Sequence, residues 1–461
     1  MSPSSYGRRR VLQVTALGAA AAALPRCLRS ATRPPPLPIP PASTPWPEAD
    51  AILARTELPR IPEATFAAAR FGARGNGIAD ETRALQDAID ASAAAGGGRV
   101  VVEPGVFRVG ALRLRSRVEL YLKAGATLEF SDDPAKFPPV LTRYEGFECV
   151  NRSPMLHASG ETDVAVTGEG TLDASRTAAW NRGSDREGVL EPLVARGIRP
   201  ERRVVVGKLR TSMVEMTGCT RVRIQGVTLQ GSPFWQLHPT LCADVTVEEV
   251  TTRDSGANSD SCDPESCDRV VLRGCTFASG DDNIALKSGR DEDGRRIGAP
   301  CRNVVIVGCQ GEGRFGFITC GSEQSGGIEN VYAFANRSYG RGVGYAVWVK
   351  SNRRRGGYTR NLNVSGFRGH TSRAAIMATM EYDGQSGAFP PVFDGIHLDD
   401  FVVDGADGVL DVKGLPESRI RGFTLSDSTF TAVRAEDGIR DAEVAVHNLR
   451  LERSTAAGSV R

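Results

Sequence analysis

This sequence of 461 residues carries almost no net charge, because 57 Lys and Arg side chains oppose 55 Asp and Glu side chains, which leaves +2 at pH 7. Proteins that bind nucleic acid usually present a concentrated basic face, so we expect no nucleic-acid partner. A chain without a strong overall field also has to recognise any acidic ligand through local contacts.

The sequence also lacks the histidine spacing that is typical of a metal site. The five histidines are scattered, and none lies within five residues of another, so no zinc-type pattern exists and we predict neither a metal nor another cofactor. Ten cysteines would allow disulfides in an oxidising compartment. We interpret most of them as small buried apolar side chains, with a Cys262–Cys267 bridge as the alternative.

No apolar run is long enough to span a bilayer, which takes about 20 residues. The run from Val14 to Leu24 follows Arg8 and Arg9 and resembles a twin-arginine export signal. We therefore predict a signal peptide over residues 1–31 and a periplasmic or secreted mature protein with no membrane attachment. A retained membrane anchor and a lipoprotein modified at Cys27 are the alternatives.

The segment after this signal is rich in proline, including Pro34-Pro35-Pro36, and predicts an extended linker over 32–60. A single domain is predicted over 61–461. Asp80 can cap a helix over 81–95, which places Leu85, Ala88 and Ile89 on one face. This is the only helix that we predict after the signal.

Beyond residue 100 the pattern changes to short β-branched runs separated by Gly, Asn, Asp and Ser. Successive runs begin at Val222, Val245, Val270, Val304, Val331 and Leu362. An irregular repeat of this length with three short strands per unit is typical of a β-solenoid, in which each coil buries its apolar face on the next. We predict an all-β, single-stranded parallel β-helix whose open end is covered by the N-terminal helix, although strand spacing alone also fits a sandwich.

Aspartates concentrate in two segments, Asn258–Asp263 and Ser279–Lys287. The segments lie about one coil apart, so Asp260 should stack on the pair Asp281 and Asp282. Crowded carboxyls acquire separated pKa values, and glycoside hydrolysis needs one protonated and one ionised carboxyl. Ordinary turn chemistry and a calcium site are the alternatives.

These motifs resemble glycoside hydrolase family 28, the polygalacturonases, in its bacterial branch. Asn258-Ser259-Asp260 and Gly280-Asp281-Asp282 carry the resemblance most specifically, supported by Pro139–Gly146, Ser232–Pro239 and Gly321–Gly327. The resemblance implies a right-handed β-helix and an inverting mechanism. Asp281 would be the general acid, and Asp260 and Asp282 would hold and deprotonate the attacking water.

Two departures from the family concern substrate recognition. Phe315 stands near the place of the family's Gly-His-Gly, and the family's Arg-x-Lys aligns with Trp348-Val349-Lys350, so Lys350 is kept while Trp348 replaces the Arg. Trp cannot grip a carboxylate as a guanidinium does, but it can stack on a sugar. We expect a neutral, deoxy or substituted sugar at this subsite, unless Arg353 or Arg355 supplies the charge or Trp348 is only a packing residue.

His238, Lys287 and Tyr382 are further candidates for substrate binding. Together the motifs predict an inverting glycoside hydrolase that acts on pectin-type polysaccharide, whether polygalacturonan, rhamnogalacturonan or substituted galacturonan fragments. We expect a monomer, although no motif addresses the oligomeric state. A carbohydrate-binding or catalytically weakened β-helix protein and a β-eliminating lyase are the alternatives. The inserts at 177–208 and 289–300 favour cleavage from a chain end.

Overall fold

The computed structural model describes residues 44–181, 188–253, 256–431 and 438–452. Its strands form three stacks of parallel strands. The first stack contains Thr65–Ala67, Gly98–Val102, Val118–Leu122, Thr162–Gly168, Thr220–Gln225, Ala243–Glu248, Asp268–Arg273, Cys301–Val307, Ile328–Phe334, Tyr358–Ser365, Val392–Asp399, Ile420–Thr431 and Ala442–Glu452.

The second stack contains Asn76–Asp80, Gly105–Val109, Ala126–Phe130, Thr171–Asp173, Thr228–Gln230, Thr251–Arg253, Thr276–Ala278, Gln310–Glu312, Arg337–Ser338, Arg368–His370 and Val402–Asp404, which pairs with the end of Ile420–Thr431. The third stack contains Leu112–Arg113, Leu156–Ser159, Val214–Thr217, Leu237–Thr240, Ile284–Leu286, Gly316–Gly321, Tyr345–Lys350, Ile376–Thr379, Leu410–Lys413 and Gly438–Arg440.

The chain visits the stacks in a fixed order, which makes each turn of the solenoid one coil of three strands. One coil runs through Val214–Thr217, Thr220–Gln225 and Thr228–Gln230, and the next begins at Leu237–Thr240. Each strand pairs in parallel with its counterpart on the neighbouring coil. The predicted parallel β-helix with three short strands per coil is therefore confirmed.

The β-branched runs found in the sequence form one inward-facing column of the first stack. Each residue pairs with the next coil's counterpart: Val164, Val222, Val245, Val270, Val304, Val331 and Leu362. All of these side chains are buried in one continuous apolar core. Because period-two strands send alternate side chains inward, a register shift of one residue would expose the whole column.

The predicted capping helix is present at Thr82–Ala94. Leu85, Ala88 and Ile89 are fully buried against the first coils, and the Asp80 carboxylate accepts the amide N–H of Thr82 at 3.0 Å. This helix covers the apolar end of the coil stack, as expected.

The prediction of an extended linker over 32–60 is wrong for the part that the structure describes. Pro47–Arg55 forms an α-helix, with Pro at its start and acidic residues in its first turn. Ile52 is buried on Val305 and Tyr332 of the first stack. Two buried positions in a short helix, Ala49 and Ile52, give too weak a periodicity to compete with the proline-rich composition beside it.

An antiparallel hairpin, Pro139–Tyr144 with Phe147–Arg152, projects from the coils. Two further short α-helices, Glu191–Ala195 and Asp291–Ile297, lie in the inserts noted in the sequence, so the expectation of a single helix after the signal is wrong. One-turn 3₁₀ helices occur at Ala68–Phe71, Pro134–Lys136, Ser175–Ala179, Pro200–Arg202 and Tyr382–Gly384.

Ion pairs join the hairpin to both inserts. Arg290 contacts Glu145 at 2.9 Å and Glu191 at 2.8 Å, and Arg203 binds the carboxylate of Asp293 with two N–H groups. Hairpin and inserts thus form one wall beside the coil stack, which is called the insert wall below.

Nine cysteines, from Cys149 to Cys320, are buried with free thiols. The bridge considered between Cys262 and Cys267 is not formed, and both side chains pack in the apolar core. Most cysteines therefore act as small core residues, as predicted.

The predicted signal peptide and residues 32–43 lie outside the described residues. Within the described ranges, no helix combines the length and the apolar character needed to cross a membrane.

Candidate active site

Asp260 and Asp282 occupy the same position on two consecutive coils. Cys262 pairs with Ile284, so two residues earlier Asp260 falls beside Asp282, and the Ser261 amide donates to the Asp282 carbonyl at 3.1 Å. Because parallel pairing keeps register, both side chains leave the coils on the same face. The predicted stacking of these aspartates is confirmed.

Asp281 lies next to this pair because the turn at Gly280 packs closely against the turn at Gly256. A Cβ atom on Gly280 would lie 1.9 Å from the carbonyl oxygen of Gly256, so only glycine lets the turn pack this tightly. Asp281 accepts the amide N–H of Asp282 at 3.0 Å. One carboxyl oxygen from each of Asp260, Asp281 and Asp282 lies within 4.8 Å of the other two.

The environment separates the protonation states of these carboxyls. Burial, together with repulsion from Asp260 and Asp282, raises the pKa of Asp281 to about 8. Burial also raises the pKa of Asp260 to about 6, while the Lys287 ammonium limits this rise. At neutral pH the cluster therefore holds a protonated Asp281 next to an ionised Asp260. Acid–base catalysis needs one protonated and one ionised carboxyl of this kind.

Two buried lysines neutralise the ionised carboxylates. Lys350 donates to Asp282 at 3.0 Å, and Lys287 lies 3.6 Å from Asp260 and 3.1 Å from Glu323. Burial alone would lower the pKa of Lys350, but the Asp282 charge outweighs it and raises that pKa. Both lysines are therefore ammonium cations that hold the carboxylates in place.

The same three aspartates have the arrangement of possible metal ligands within the described ranges. The ammonium groups of Lys350 and Lys287, at 3.0 and 3.6 Å from the carboxylates, already supply two positive charges. Like charges at such distances repel strongly in a buried site, so the cluster is poorly suited to a divalent cation.

Asp263, which was not among the predicted site residues, is completely buried and interacts with Asp260. Burial and the charge of Asp260 raise the pKa of Asp263, so this carboxyl is protonated and able to donate a hydrogen bond to its neighbour. Glu323, which binds Lys287, was also missed, although its motif at 321–327 was noted. A buried carboxyl cannot be distinguished from a turn residue by spacing alone.

Trp348 has no free face for stacking on a sugar. Only 6% of it is exposed, Phe315 stacks on it with ring centres 5.8 Å apart, and the Lys350 Nζ lies 3.6 Å from its ring centre. Neighbours therefore cover most of the ring, and its contact with a sugar stays a prediction. Trp348 packs in an aromatic group that also contains Tyr345 and Tyr382.

Neither arginine proposed to replace the missing family Arg has a free charge. A cavity opens over the aspartate cluster and is called the carboxyl cavity below. Arg353 does not line this cavity and binds Glu417 at 2.7 Å. Arg355 does line the cavity, but it binds Asp291 at 2.8 Å. The charges of both arginines are already balanced, and their binding to substrate stays a prediction.

His238 does not reach the cavity either. It is completely buried, with Glu215 3.2 Å from Nδ1 and Glu265 2.9 Å from Nε2. Burial lowers its pKa, but the two carboxylates outweigh this effect and raise the pKa of His238 to about 9. The imidazole is therefore a charged link between Glu215 and Glu265, and its contact with substrate stays a prediction.

A cavity of about 180 Å³ opens over the cluster. Three of the residues predicted to bind substrate line it: Lys287, Lys350 and Tyr382. Glu145 and Arg290 of the insert wall bound one side. The structure thus collects the three aspartates with both lysines and Tyr382, and it leaves out Arg353, His238 and Trp348.

A parallel β-helix with a cavity built on three crowded aspartates defines a polysaccharide-cleaving enzyme of the glycoside hydrolase class. Residues 201–438 match the model of Glycosyl hydrolases family 28. The chain belongs to that family and is a pectin-degrading glycoside hydrolase.

Individual relatives agree with this assignment. A hyperthermoactive exopolygalacturonase from Thermotoga maritima has a solved structure similar to this chain, with a TM-score of 0.81, 31% identity, and coverage of 88% of this chain and 95% of that one. This likeness confirms the right-handed β-helix. A probable polygalacturonase of Vitis vinifera is 28% identical over 380 residues, which cover 78% of this chain and 72% of the relative.

An exo-poly-alpha-D-galacturonosidase of Dickeya chrysanthemi is 26% identical over 316 residues. Those residues are 61% of this chain and half of the relative's length.

Proposed function

We propose that this protein hydrolyses pectin-type polysaccharide by inversion, with Asp281 as the general acid. The observation that carries the proposal is the cluster of Asp260, Asp281 and Asp282, in which one carboxyl oxygen of each lies within 4.8 Å of the other two. Burial and the neighbouring carboxyls raise the pKa of Asp281 to about 8. A carboxyl that is still protonated at neutral pH can give its proton to the leaving glycosidic oxygen.

The attacking water belongs between Asp260 and Asp282. Both side chains are almost completely buried, at 2% and 1% exposure, and Lys350 holds Asp282 by a bond of 3.0 Å. As the water oxygen bonds to the anomeric carbon, one of these carboxylates accepts its proton, while the Asp281 proton goes to the departing oxygen.

The separation of the carboxyls does not by itself favour inversion. Their nearest oxygens lie within 4.8 Å, whereas inverting enzymes typically separate acid and base by about 6.5–9.5 Å and retaining enzymes by about 5–5.5 Å. The family resemblance supports inversion. Proton NMR of the first anomer released decides the point, since a product that keeps the substrate's configuration would contradict it.

We also propose cleavage from a chain end. The insert wall bounds the cavity through Glu145 and Arg290, and the Arg290 ion pairs with Glu145 and Glu191 fasten it in place. The relatives from Thermotoga maritima and Dickeya chrysanthemi are named as enzymes of the exo type. An exo-acting enzyme releases short products while the viscosity of the polymer falls slowly, and a rapid fall in viscosity would contradict the proposal.

Export through the predicted signal at 1–31, a periplasmic or secreted location and a monomeric state complete the proposal. Fusion of residues 1–60 to a reporter that is active only after export, with Arg8 and Arg9 replaced by Lys as the control, tests the first two. Light scattering of the purified protein tests the third.

The central experiment offers polygalacturonate, rhamnogalacturonan and substituted pectin to the wild type and to Asp281→Asn. We expect new reducing ends from the wild type without an increase in ultraviolet absorbance, and a loss of about 10²–10⁴-fold in the variant. Asp87→Asn, on the exposed side of the capping helix, is the matched control and should keep full activity.

Each alternative gives a different result. Unsaturated products that absorb in the ultraviolet would indicate a lyase, and binding without reducing ends would indicate a carbohydrate-binding protein. Equal activity of Asp281→Asn and wild type would refute the assignment of the acid.

A further inference from the structure

A second cavity, of about 610 Å³, lies beside the carboxyl cluster and is lined by Arg314, Arg341 and Arg373. It begins at Gly280, the residue directly before Asp281. Its volume is within the usual range for ligand pockets, about 300–1,000 Å³. None of these arginines was among the predicted site residues.

No ion pair joins these three guanidinium groups to a carboxylate within the ranges that the structure describes. Glu312 also lines the cavity, but its carboxylate accepts the backbone N–H of Arg341, at 3.3 Å, rather than a guanidinium. This contrasts with Arg353 and Arg355, which are both paired. The cavity therefore combines three cationic side chains with one acidic side chain.

Two of the three arginines contact Phe315, an aromatic residue that departs from the family pattern. The guanidinium groups of Arg314 and Arg373 lie 5.3 and 5.0 Å from the ring centre of Phe315, and Arg373 also donates to the Tyr345 hydroxyl at 3.2 Å. Phe315 in turn stacks on Trp348. The stacked pair thus lies between the arginine cavity and the aromatic residues next to the carboxyl cavity.

We propose that the cavity bounded by Arg314, Arg341 and Arg373 is a subsite that binds the carboxylates of uronate residues in the polysaccharide. A guanidinium binds a carboxylate through two parallel N–H donors, and three unpaired ones offer the local contacts that a chain of net charge +2 requires. This inference rests on the proposed function and gives it a substrate class, an acidic polysaccharide.

The position of the subsite leads to a different interpretation of Phe315 and Trp348, the two departures from the family. Trp348 removes an arginine from one side of the cluster, while Phe315 helps to place Arg314 and Arg373 on another. Recognition of acidic sugar has therefore moved within the site, and the neutral sugar expected from Trp348 alone is not required.

The test measures binding to a chain that cannot turn over. Trigalacturonate is titrated by calorimetry into Asp281→Asn and into Asp281→Asn with Arg314→Gln and Arg341→Gln. The side chains of Arg314 and Arg341 make no ion pair within the described ranges, so their replacement should leave the fold intact. Arg83→Gln, whose side chain is 93% exposed on the capping helix, replaces the double change as the matched control.

We expect the double change to weaken trigalacturonate binding about tenfold, since contacts from two exposed guanidinium groups together contribute roughly 1.4 kcal/mol. The difference should shrink as salt is added, while binding of neutral galactotriose stays unchanged. Equal affinity for trigalacturonate with and without Arg314 and Arg341, or no binding of it at all, would overturn the subsite.

Failure of the proposed function is a separate result. Wild-type protein that releases no reducing ends from any pectic polymer would refute hydrolysis, whereas the titration uses an inactive variant and does not depend on turnover. The calorimetry therefore tests the subsite independently of hydrolysis.

Discussion

Replacement of His238 by Gln tests whether this residue holds the fold or contacts substrate. In the wild type the ring links Glu215 and Glu265 at 3.2 and 2.9 Å in a completely buried position. Gln keeps a hydrogen-bonding side chain but removes the positive charge. The expected effect is on stability and its pH dependence.

The magnitude follows from the pKa of His238, which the two carboxylates raise to about 9 from an ordinary value of 6.5. At about 1.4 kcal/mol per pKa unit, the charged ring contributes on the order of 3 kcal/mol. Because the folded-state pKa is the higher one, this contribution is complete below pH 6.5 and is lost as the pH rises through 9. For a domain of about 400 residues, 3 kcal/mol corresponds to a shift of roughly 3–4 °C in Tm.

The assay is thermal unfolding of the wild type and His238→Gln by circular dichroism at pH 6, 7.5 and 9.5, with KM for trigalacturonate measured at pH 6. The variant should unfold at a lower temperature at pH 6, and the difference should narrow by pH 9.5. KM should not change. A Tm difference that is independent of pH, or a raised KM with an unchanged Tm, would refute the structural role.

Three further predictions concern the aspartate cluster and the short helix Pro47–Arg55. The rate should rise with pH near 6, as Asp260 ionises, and fall near 8, as Asp281 loses its proton; a pH–rate profile on polygalacturonate checks this, and a flat profile from 5 to 9 would contradict it. Gly316→Ala places a methyl carbon 2.0 Å from the Thr319 hydroxyl and 3.1 Å from a carboxylate oxygen of Asp282, so kcat should fall at least tenfold. The control Gly256→Ala adds a methyl carbon whose nearest atom beyond its chain neighbours lies at 3.7 Å and should change kcat little. Ile52→Ala should cost about 2–5 kcal/mol by leaving a cavity against the first stack, seen as a lower Tm, while an unchanged Tm would fit a loose linker.

The coil architecture could be predicted from the sequence because each coil has to repeat the same local pattern. Val222, Val245 and Val270 form one column since parallel coils stack in register, and an apolar residue at that place in each coil is enough to reveal the repeat. The stacking of Asp260 on Asp282 follows from the same spacing.

The short helix Pro47–Arg55 could not be found in this way. Its buried face consists of Ala49 and Ile52, too few positions for a periodic signal. Its stability comes from contact with Val305 and Tyr332, which are about 250 residues away along the chain. Such a contact exists only after the coils have formed.

The β-helix, the capping helix and the aspartates that the coils bring together follow from the sequence, because they depend on local periodicity and spacing. Which charges are free depends on the three-dimensional packing. Arg353 and Arg355 are neutralised by Glu417 and Asp291, whereas Arg314 and Arg341 face an open cavity. The charge that a ligand meets depends on pairing and burial in three dimensions, and residue type and spacing do not specify either one.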